Sequence, residues 1–266
     1  MTVNDLRVGE RLRKRGGVPY YSSRPLYDDL AVVIKRFPGS STAVSSRPFV
    51  LVHGIGVSSR YFHPLAIELA KCGEVFLIDL AGYGSAPNPK RDVSIRLHAD
   101  VLGAFLRRAG IDNPVLVGHS MGAQVVSQLA FDSPRVTDRL VLIAPTVNPP
   151  DRRFSTEAKA LLRDITMESM RSNLIIATDY FVRCGIPYFL AQLKHLLGDR
   201  IEDRLPLIEA RTLVLRGDTD PIVPRSWAET VAEILPHGTF AEVTGPHVVM
   251  HSDPVRIAAL IVKHAE

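Results

Sequence analysis

Short runs of almost uninterrupted Val, Ile and Leu, separated by longer amphipathic stretches, constrain this chain more than any other feature. FVLVHG (49–54), VFLIDL (75–80), PVLVGH (114–119), RLVLIAP (139–145), TLVLRG (212–217) and TFAEVT (239–244) read as strands, most of them apolar on both faces. Between them lie helical patterns over Arg60–Lys71, Ser94–Gly110 and Met121–Asp132, and a closing PVRIAALIVKHAE. The second has a Ser start signal, apolar positions at Ile95, Leu102, Phe105 and Leu106, and a Gly stop. Strands that are apolar on both faces and alternate with helices predict an α/β fold with a mostly parallel, doubly wound sheet. GVPYYSS and LAVVIKRF near the N-terminus read as an antiparallel start to that sheet, making eight strands, and a turn-rich linker follows over Pro38–Pro48.

The alternation breaks once. From Val147 to Arg211 about 65 residues carry no strand signal, but they hold helical patterns (STEAKALLRDITMESMRSNLI and YFLAQLKHLL) and the aromatics Tyr180, Phe181, Tyr188 and Phe189. A structureless loop that long is uncommon in a compact domain, so the segment reads as a helical insertion. The expected organisation is a core of 1–146 and 211–266 with a helical cap over 147–210.

Composition removes several classes. Hydrophobic residues make up 46% and charged residues 23% of the 266, which excludes disordered, collagen-like and coiled-coil chains. No apolar run approaches the roughly 18 residues needed to span a bilayer, and MTVNDLRVGERLRKR contains no signal-peptide stretch, so a cytoplasmic location is expected. Cys72 and Cys184 form neither a CxxC pair nor a zinc spacing and read as two reduced thiols. The net charge is +4, and Arg7, Arg11, Arg13, Lys14 and Arg15 cluster near the start. Such a cluster could attract nucleic acid or anionic lipid. Short and without interleaved aromatics, it reads as a solvated tail, and no nucleic-acid partner is expected.

The sharpest chemical signal is Gly118-His119-Ser120-Met121-Gly122. At ordinary Gly and Ser frequencies a G-x-S-x-G turns up by chance in roughly one chain in ten of this length, so context decides. Here it follows a strand directly and opens a helix directly, the setting of a nucleophile elbow. Glycines flank the Ser because a Cβ there would meet the neighbouring strand and helix. The helix N-terminus adds backbone N–H groups and positive partial charge. A serine hydroxyl is a weak nucleophile at neutral pH and needs a base and a group to orient that base. In chain order Ser, acid, His, the candidates are Asp218 and Asp220 after TLVLRG, and His247 in Gly245-Pro246-His247 after the last strand. Both loops follow the carboxyl ends of strands, where open α/β sheets bind ligands.

With these residues the chain resembles the α/β-hydrolase-fold enzymes over about Phe49 to Glu266, the insertion apart. Besides GHSMG, the strand-loop HG is His53-Gly54-Ile55-Gly56. The D-x-x-G-x-G-x-S turn is Asp79-Leu80-Ala81-Gly82-Tyr83-Gly84-Ser85, with Ala81 where Pro is usual. G-x-x-D-P runs from Gly217 to Pro221, and H-x(6)-P from His247 to Pro254. The resemblance implies Ser120 as nucleophile, Asp220 as triad acid and His247 as base, with Asp218 the decoy, and with His251 starting the closing segment or packing beside the site. It also implies an oxyanion hole from the backbone N–H groups of Ile55 and Met121. His53 then braces its own loop, and Asp79 stabilises its turn in preference to acting as a catalytic carboxylate. The remaining histidines read as surface or boundary residues.

The expected activity is cleavage of a carboxylic ester or thioester of a small, apolar acyl substrate through an acyl-enzyme on Ser120. Related dehalogenases and epoxide hydrolases carry Asp at that position, so a serine favours acyl chemistry. Carbon–carbon (dicarbonyl) or lactone hydrolysis, acyl transfer and cofactor-free peroxidation share the same triad, and a ligand receptor could share the fold. His119, Tyr180, Phe181, Tyr188 and Phe189 are candidate substrate contacts. No metal and no cofactor is expected, because Gly54-Ile55-Gly56 and Gly82-Tyr83-Gly84 do not extend to a dinucleotide or phosphate fingerprint.

Overall fold

The computed structural model describes residues 9–15, 17–40, 47–149 and 184–266. Along the chain come β1 (Arg11–Arg15), β2 (Val18–Ser23), β3 (Leu26–Tyr27), β4 (Leu30–Ala31), β5 (Val33–Phe37) and β6 (Phe49–Val52). Then follow α1 (His63–Leu69), β7 (Val75–Asp79), α2 (Ile95–Ala109), β8 (Val115–His119), α3 (Met121–Asp132) and β9 (Arg139–Ile143). Among the described residues the last are α4 (Ile186–Gly198), α5 (Ile201–Arg204), β10 (Arg211–Gly217), α6 (Arg225–Ile234), β11 (Gly238–Val243), α7 (Val249–Ser252) and α8 (Pro254–Ala265).

Among the described residues nine strands form one sheet in the order β1-β2-β5-β7-β6-β8-β9-β10-β11, with β3 and β4 as a separate hairpin. The pairs β1–β2, β2–β5 and β5–β7 are antiparallel, and every later pair is parallel. The eight expected strands are present. The ninth is β1, which lies where a solvated tail was expected: Arg11 to Arg15 pair in register with Ser22 to Val18, so backbone hydrogen bonding recruits the charged segment to the sheet edge.

Every residue of β6, β7, β8 and β9 is buried. Both sheet faces are therefore covered, which accounts for the unbroken apolar runs. Helix α2 packs on α3, and α1 packs on α8. The predicted caps hold: Ser94 accepts from Leu97 N at 3.2 Å, and Gly110 closes α2 at φ +63°. Helix α1 is shorter than the pattern over Arg60–Lys71, because Ser59–Phe62 form a 3-10 turn and Pro64 fits only the first turn of an α-helix. Arg225–Ile234, which received no element from the sequence, is α6. Its buried Trp227 donates from Nε1 to Pro145 O at 3.0 Å.

Strand β6 pairs with β7 on one side and β8 on the other, so the chain reverses direction across the sheet at β6. The crevice outside the carboxyl ends of β6 and β8 is the place such sheets offer to a ligand. Both cysteines are free thiols, Cys184 buried and Cys72 partly so. Among the described residues no helix is long and apolar enough to cross a membrane.

Candidate active site

Strand β8 ends at His119 and α3 begins at Met121, so Ser120 alone makes the turn between them. It does so at φ +54° and ψ −120°, rare for a residue that carries a Cβ. Such a conformation persists where its surroundings over-determine it. Ser120 N donates to Ile143 O at 3.0 Å, and Ala123 N donates to Ser120 O at 2.9 Å. A Cβ on Gly118 would collide with the Gly122 carbonyl and Val126, and one on Gly122 with the Val52 carbonyl. The two glycines thus follow from how closely α3 crosses β6 and β8. The hydroxyl is left at the head of α3, where the helix adds positive partial charge.

Past the end of β10, Asp220 Oδ1 accepts from the N–H groups of Ile222 (2.7 Å) and Val223 (3.0 Å). Its Oδ2 faces His247 Nδ1 at 2.8 Å, with Asp220 5% and His247 4% exposed. Asp218 serves a different purpose. Its Oδ1 accepts from Gly245 N at 2.9 Å, tying the loop before His247 to the loop after β10. Arg216 organises the loop that bears Asp220. It donates from Nε to Val223 O (2.6 Å) and from Nη2 to Asp220 O (3.1 Å), and pairs with Glu242 (2.6 Å).

The loop after β6 abuts Ser120: a Cβ on Gly54 would lie 3.1 Å from Ser120 Cβ. His53 braces this loop, donating from Nδ1 to Gly54 O (2.7 Å) and accepting from Leu80 N at Nε2 (3.0 Å). No hydrogen bond among the described residues engages the N–H of Ile55 or of Met121. Asp79 is fully buried and accepts from Lys35 Nζ (3.0 Å), Ser59 N (2.9 Å) and Ser85 N (3.3 Å). Burial works to raise its pKa, but Lys35, then His53 and Ser59, outweigh that and hold it down at about 2. It is a structural carboxylate that pins its turn.

His119 is buried, and both its ring nitrogens are engaged within the protein: Nδ1 with Tyr61 Oη at 2.9 Å and Nε2 with His247 O at 3.2 Å. Its ring lies 4.7 Å from that of His247, centroid to centroid. It is therefore placed as a brace between the elbow and the His247 loop, with no nitrogen free for a substrate. Burial first, then His247, hold its pKa well below the ordinary histidine range, although the bond to the His247 carbonyl pulls the other way. His251 Nδ1 donates to Tyr61 O at 3.0 Å. Tyr188, on α4, donates to Ala81 O at 2.7 Å and stacks edge-on against Tyr83. Phe189 packs half-buried on the core. Tyr180 and Phe181 lie outside the described residues.

His63 and His98, expected at the surface or a boundary, are both buried. His98 Nε2 donates to Gln192 Oε1 at 3.1 Å, and burial lowers its pKa to about 4. Sequence reading missed Tyr61, Arg216 and Gln192. A Tyr on the apolar face of a helical pattern reads as packing, an Arg within a strand as an outward residue, and a Gln in a helix as solvated.

A family model described as "Alpha/beta hydrolase family" matches residues 49–260. The chain is 34% identical over 137 residues to an uncharacterised protein of Mycobacterium tuberculosis, which covers 48% of this chain and 39% of that protein. This chain thus spans about two-fifths of that relative's length. It is 27% identical over 235 residues to pyrrolizixenacetamide deacetylase of Xenorhabdus hominickii, covering 80% of this chain and 88% of the deacetylase. The fold superposes on an enol-lactonase of Burkholderia xenovorans with a TM-score of 0.76 at 17% identity, over 91% of this chain and 99% of the other. With the family model spanning most of its length, the chain belongs to the alpha/beta hydrolase family.

Proposed function

We propose that this hydrolase cleaves a carboxylic ester or thioester of a small, apolar acyl substrate through an acyl-enzyme on Ser120. The observation that carries the reading is the 2.8 Å contact between Asp220 Oδ2 and His247 Nδ1, with the His247 carbonyl in turn bonded to His119, the residue before Ser120, at 3.2 Å. Asp220 accepts a hydrogen bond from Nδ1–H, which holds the imidazole in the tautomer that leaves the Nε2 lone pair as base. His247 then takes the Ser120 proton as Oγ attacks the carbonyl. The negative charge that develops on the carbonyl oxygen falls to the Ile55 and Met121 N–H groups, each worth about 3–4 kcal/mol of barrier. His247 returns the proton to the leaving group, and water, activated by the same base, releases the acid and restores Ser120.

In this reading 147–210 acts as a cap over the site. Support comes from α4, whose Tyr188 and Gln192 bond to the Ala81 and Val93 carbonyls and so root it beside the Asp79–Ser85 turn. A substrate-contact role for Tyr188 and Phe189 rests on that placement. His119 acts by positioning. A cytoplasmic location and the absence of a cofactor belong to the same proposal.

The test is turnover of p-nitrophenyl esters from acetate to dodecanoate, wild type against Ser120→Ala. Hydrolysis that vanishes in the variant supports the reading, and the chain-length optimum sizes the pocket. Equal rates in both proteins would sink it.

A further inference from the structure

A cavity of about 1010 Å³ opens beside the β1 edge of the sheet, and neither Ser120 nor His247 lines it. Seven of the sixteen described residues that line it are Arg or Lys, against 32 in 266 for the whole chain. No Asp or Glu is among the described residues that line it. The cluster follows from strand geometry. Arg11, Arg13 and Arg15 recur at every second residue of β1 and so share one face. The pairing register sets Arg11 opposite Ser22, and Ser22 opposite Lys35, across β1, β2 and β5. Arg24 arrives from the loop after β2, Arg60 from the 3-10 turn and Arg108 from α2.

Lys35 is paired with Asp79. Arg24 and Arg108 are held by carbonyls, of Ser85 (2.8 Å) and Leu26 (3.5 Å), which orient a guanidinium without neutralising it. Among the described residues Arg11 and Arg13 form no ion pair. Charges on an edge strand do guard against strand-to-strand association, but such protection needs no convergence of arginines from three other elements. Gathering like charges in a concavity costs stability and focuses a positive field on whatever enters it.

An independent observation points the same way. His63 lines the cavity at 3% exposure, with its ring edge-on to Tyr20 and Phe37. Neither of its ring nitrogens has a hydrogen-bond partner among the described residues, although buried polar atoms are almost always satisfied. Burial, with Lys35 and Arg15, lowers its pKa to about 3, so the ring is neutral and keeps one N–H to donate.

We infer that this groove binds a phosphate-bearing anion, gripped by Arg11, Arg13 and Arg24, with His63 donating from the floor. Arginine forks match the paired oxygens of a phosphoryl group, and the volume suits a ligand far larger than one phosphate. Two sources share this chemistry, a soluble polyphosphate ester and a phospholipid headgroup.

The test measures binding of inorganic pyrophosphate by calorimetry, and flotation with phosphatidylcholine vesicles with and without phosphatidic acid, at fixed ionic strength. The wild type is compared with Arg11→Gln/Arg13→Gln, with His63→Phe, and with a remote control of equal charge change, Arg200→Gln/Arg225→Gln. Thermal melts verify that each variant folds. Pyrophosphate binding that weakens about 10-fold or more in the β1 variant, and also weakens in His63→Phe, supports a site for soluble phosphate esters. Flotation only with phosphatidic acid, lost in the same two variants, assigns the site to a headgroup. The inference is overturned if the wild type binds neither probe, or if the β1 variant binds within about 2-fold of wild type. It is overturned equally if His63→Phe binds undiminished or the remote control loses as much, since either means diffuse surface charge.

Discussion

Tyr61 Oη lies 2.9 Å from His119 Nδ1 and 2.8 Å from Gly54 N, and the direction of both bonds is fixed. The His247 carbonyl can only accept, so His119 Nε2 carries the proton. The imidazole is neutral, so its Nδ1 is bare and Tyr61 must donate to it, while accepting from the Gly54 N–H. One hydroxyl thereby links the loop before Ile55, the turn bearing Ser120 and the loop bearing His247. Tyr61→Phe leaves the Gly54 N–H and His119 Nδ1 buried without partners, at a cost of about 1–3 kcal/mol each. The expected result is a folded protein of lowered Tm whose kcat falls roughly 10-fold, with KM and the pH midpoint of kcat/KM nearly unchanged. An unaltered kcat would reduce the network to packing.

Asp220 and Asp218 separate cleanly by substitution. Asp220→Asn presents an amide to His247 Nδ1 and favours the wrong tautomer, so kcat should fall by about 10⁴. Asp218→Asn keeps an acceptor for Gly245 N and should stay within a few-fold of wild type. Steady-state ester hydrolysis by the two variants decides. Comparable losses in both would move the acid's role off Asp220.

Lys35 and Asp79 are a buried pair, and breaking one side costs more than removing both. Asp79→Asn strands the Lys35 ammonium and should lower stability by about 3–5 kcal/mol in urea unfolding. Adding Lys35→Met should recover a large part of it. If the double variant is less stable than Asp79→Asn alone, the loss comes from the hydrogen bonds to Ser59 and Ser85 and not from the ion pair.

Acid should unfold the protein in two windows. His98 is held neutral, its pKa lowered from 6.5 to about 4. Between those values the unfolded chain binds a proton that the folded one refuses, so stability falls as pH drops from 6.5 towards 4. His63 acts in the same sense down to about 3. Asp79, lowered from 3.8 to about 2, contributes fully above 3.8 and loses that contribution as pH falls towards 2. Thermal melts across pH should show the decline, and His98→Leu should flatten its first part. An identical slope in that variant would remove His98 as a cause.

Most of this architecture is legible in the sequence because parallel strands buried on both faces leave unbroken apolar runs, and helix ends carry their caps. Met121–Asp132 is a helix with the bounds its pattern gave, and the loops bearing Asp220 and His247 follow the two strands expected before them. The Arg11–Arg15 strand was hidden, since an edge strand rich in charge differs from a solvated tail only in having a partner. Tyr61, Arg216 and His119 show the same limit at the site. Their significance is a matter of which backbone carbonyl or ring nitrogen lies across a gap, and no local pattern encodes that.

The hydrogen bond from Trp227 to the Pro145 carbonyl has a spectroscopic consequence. Trp227 is the chain's sole tryptophan, and Pro145 stands just past the end of β9. The protein therefore carries one native fluorophore where α6 meets the end of β9. Its emission energy and anisotropy report the local polarity and freedom of that junction, so ligand entry and motion can be followed by light without a label.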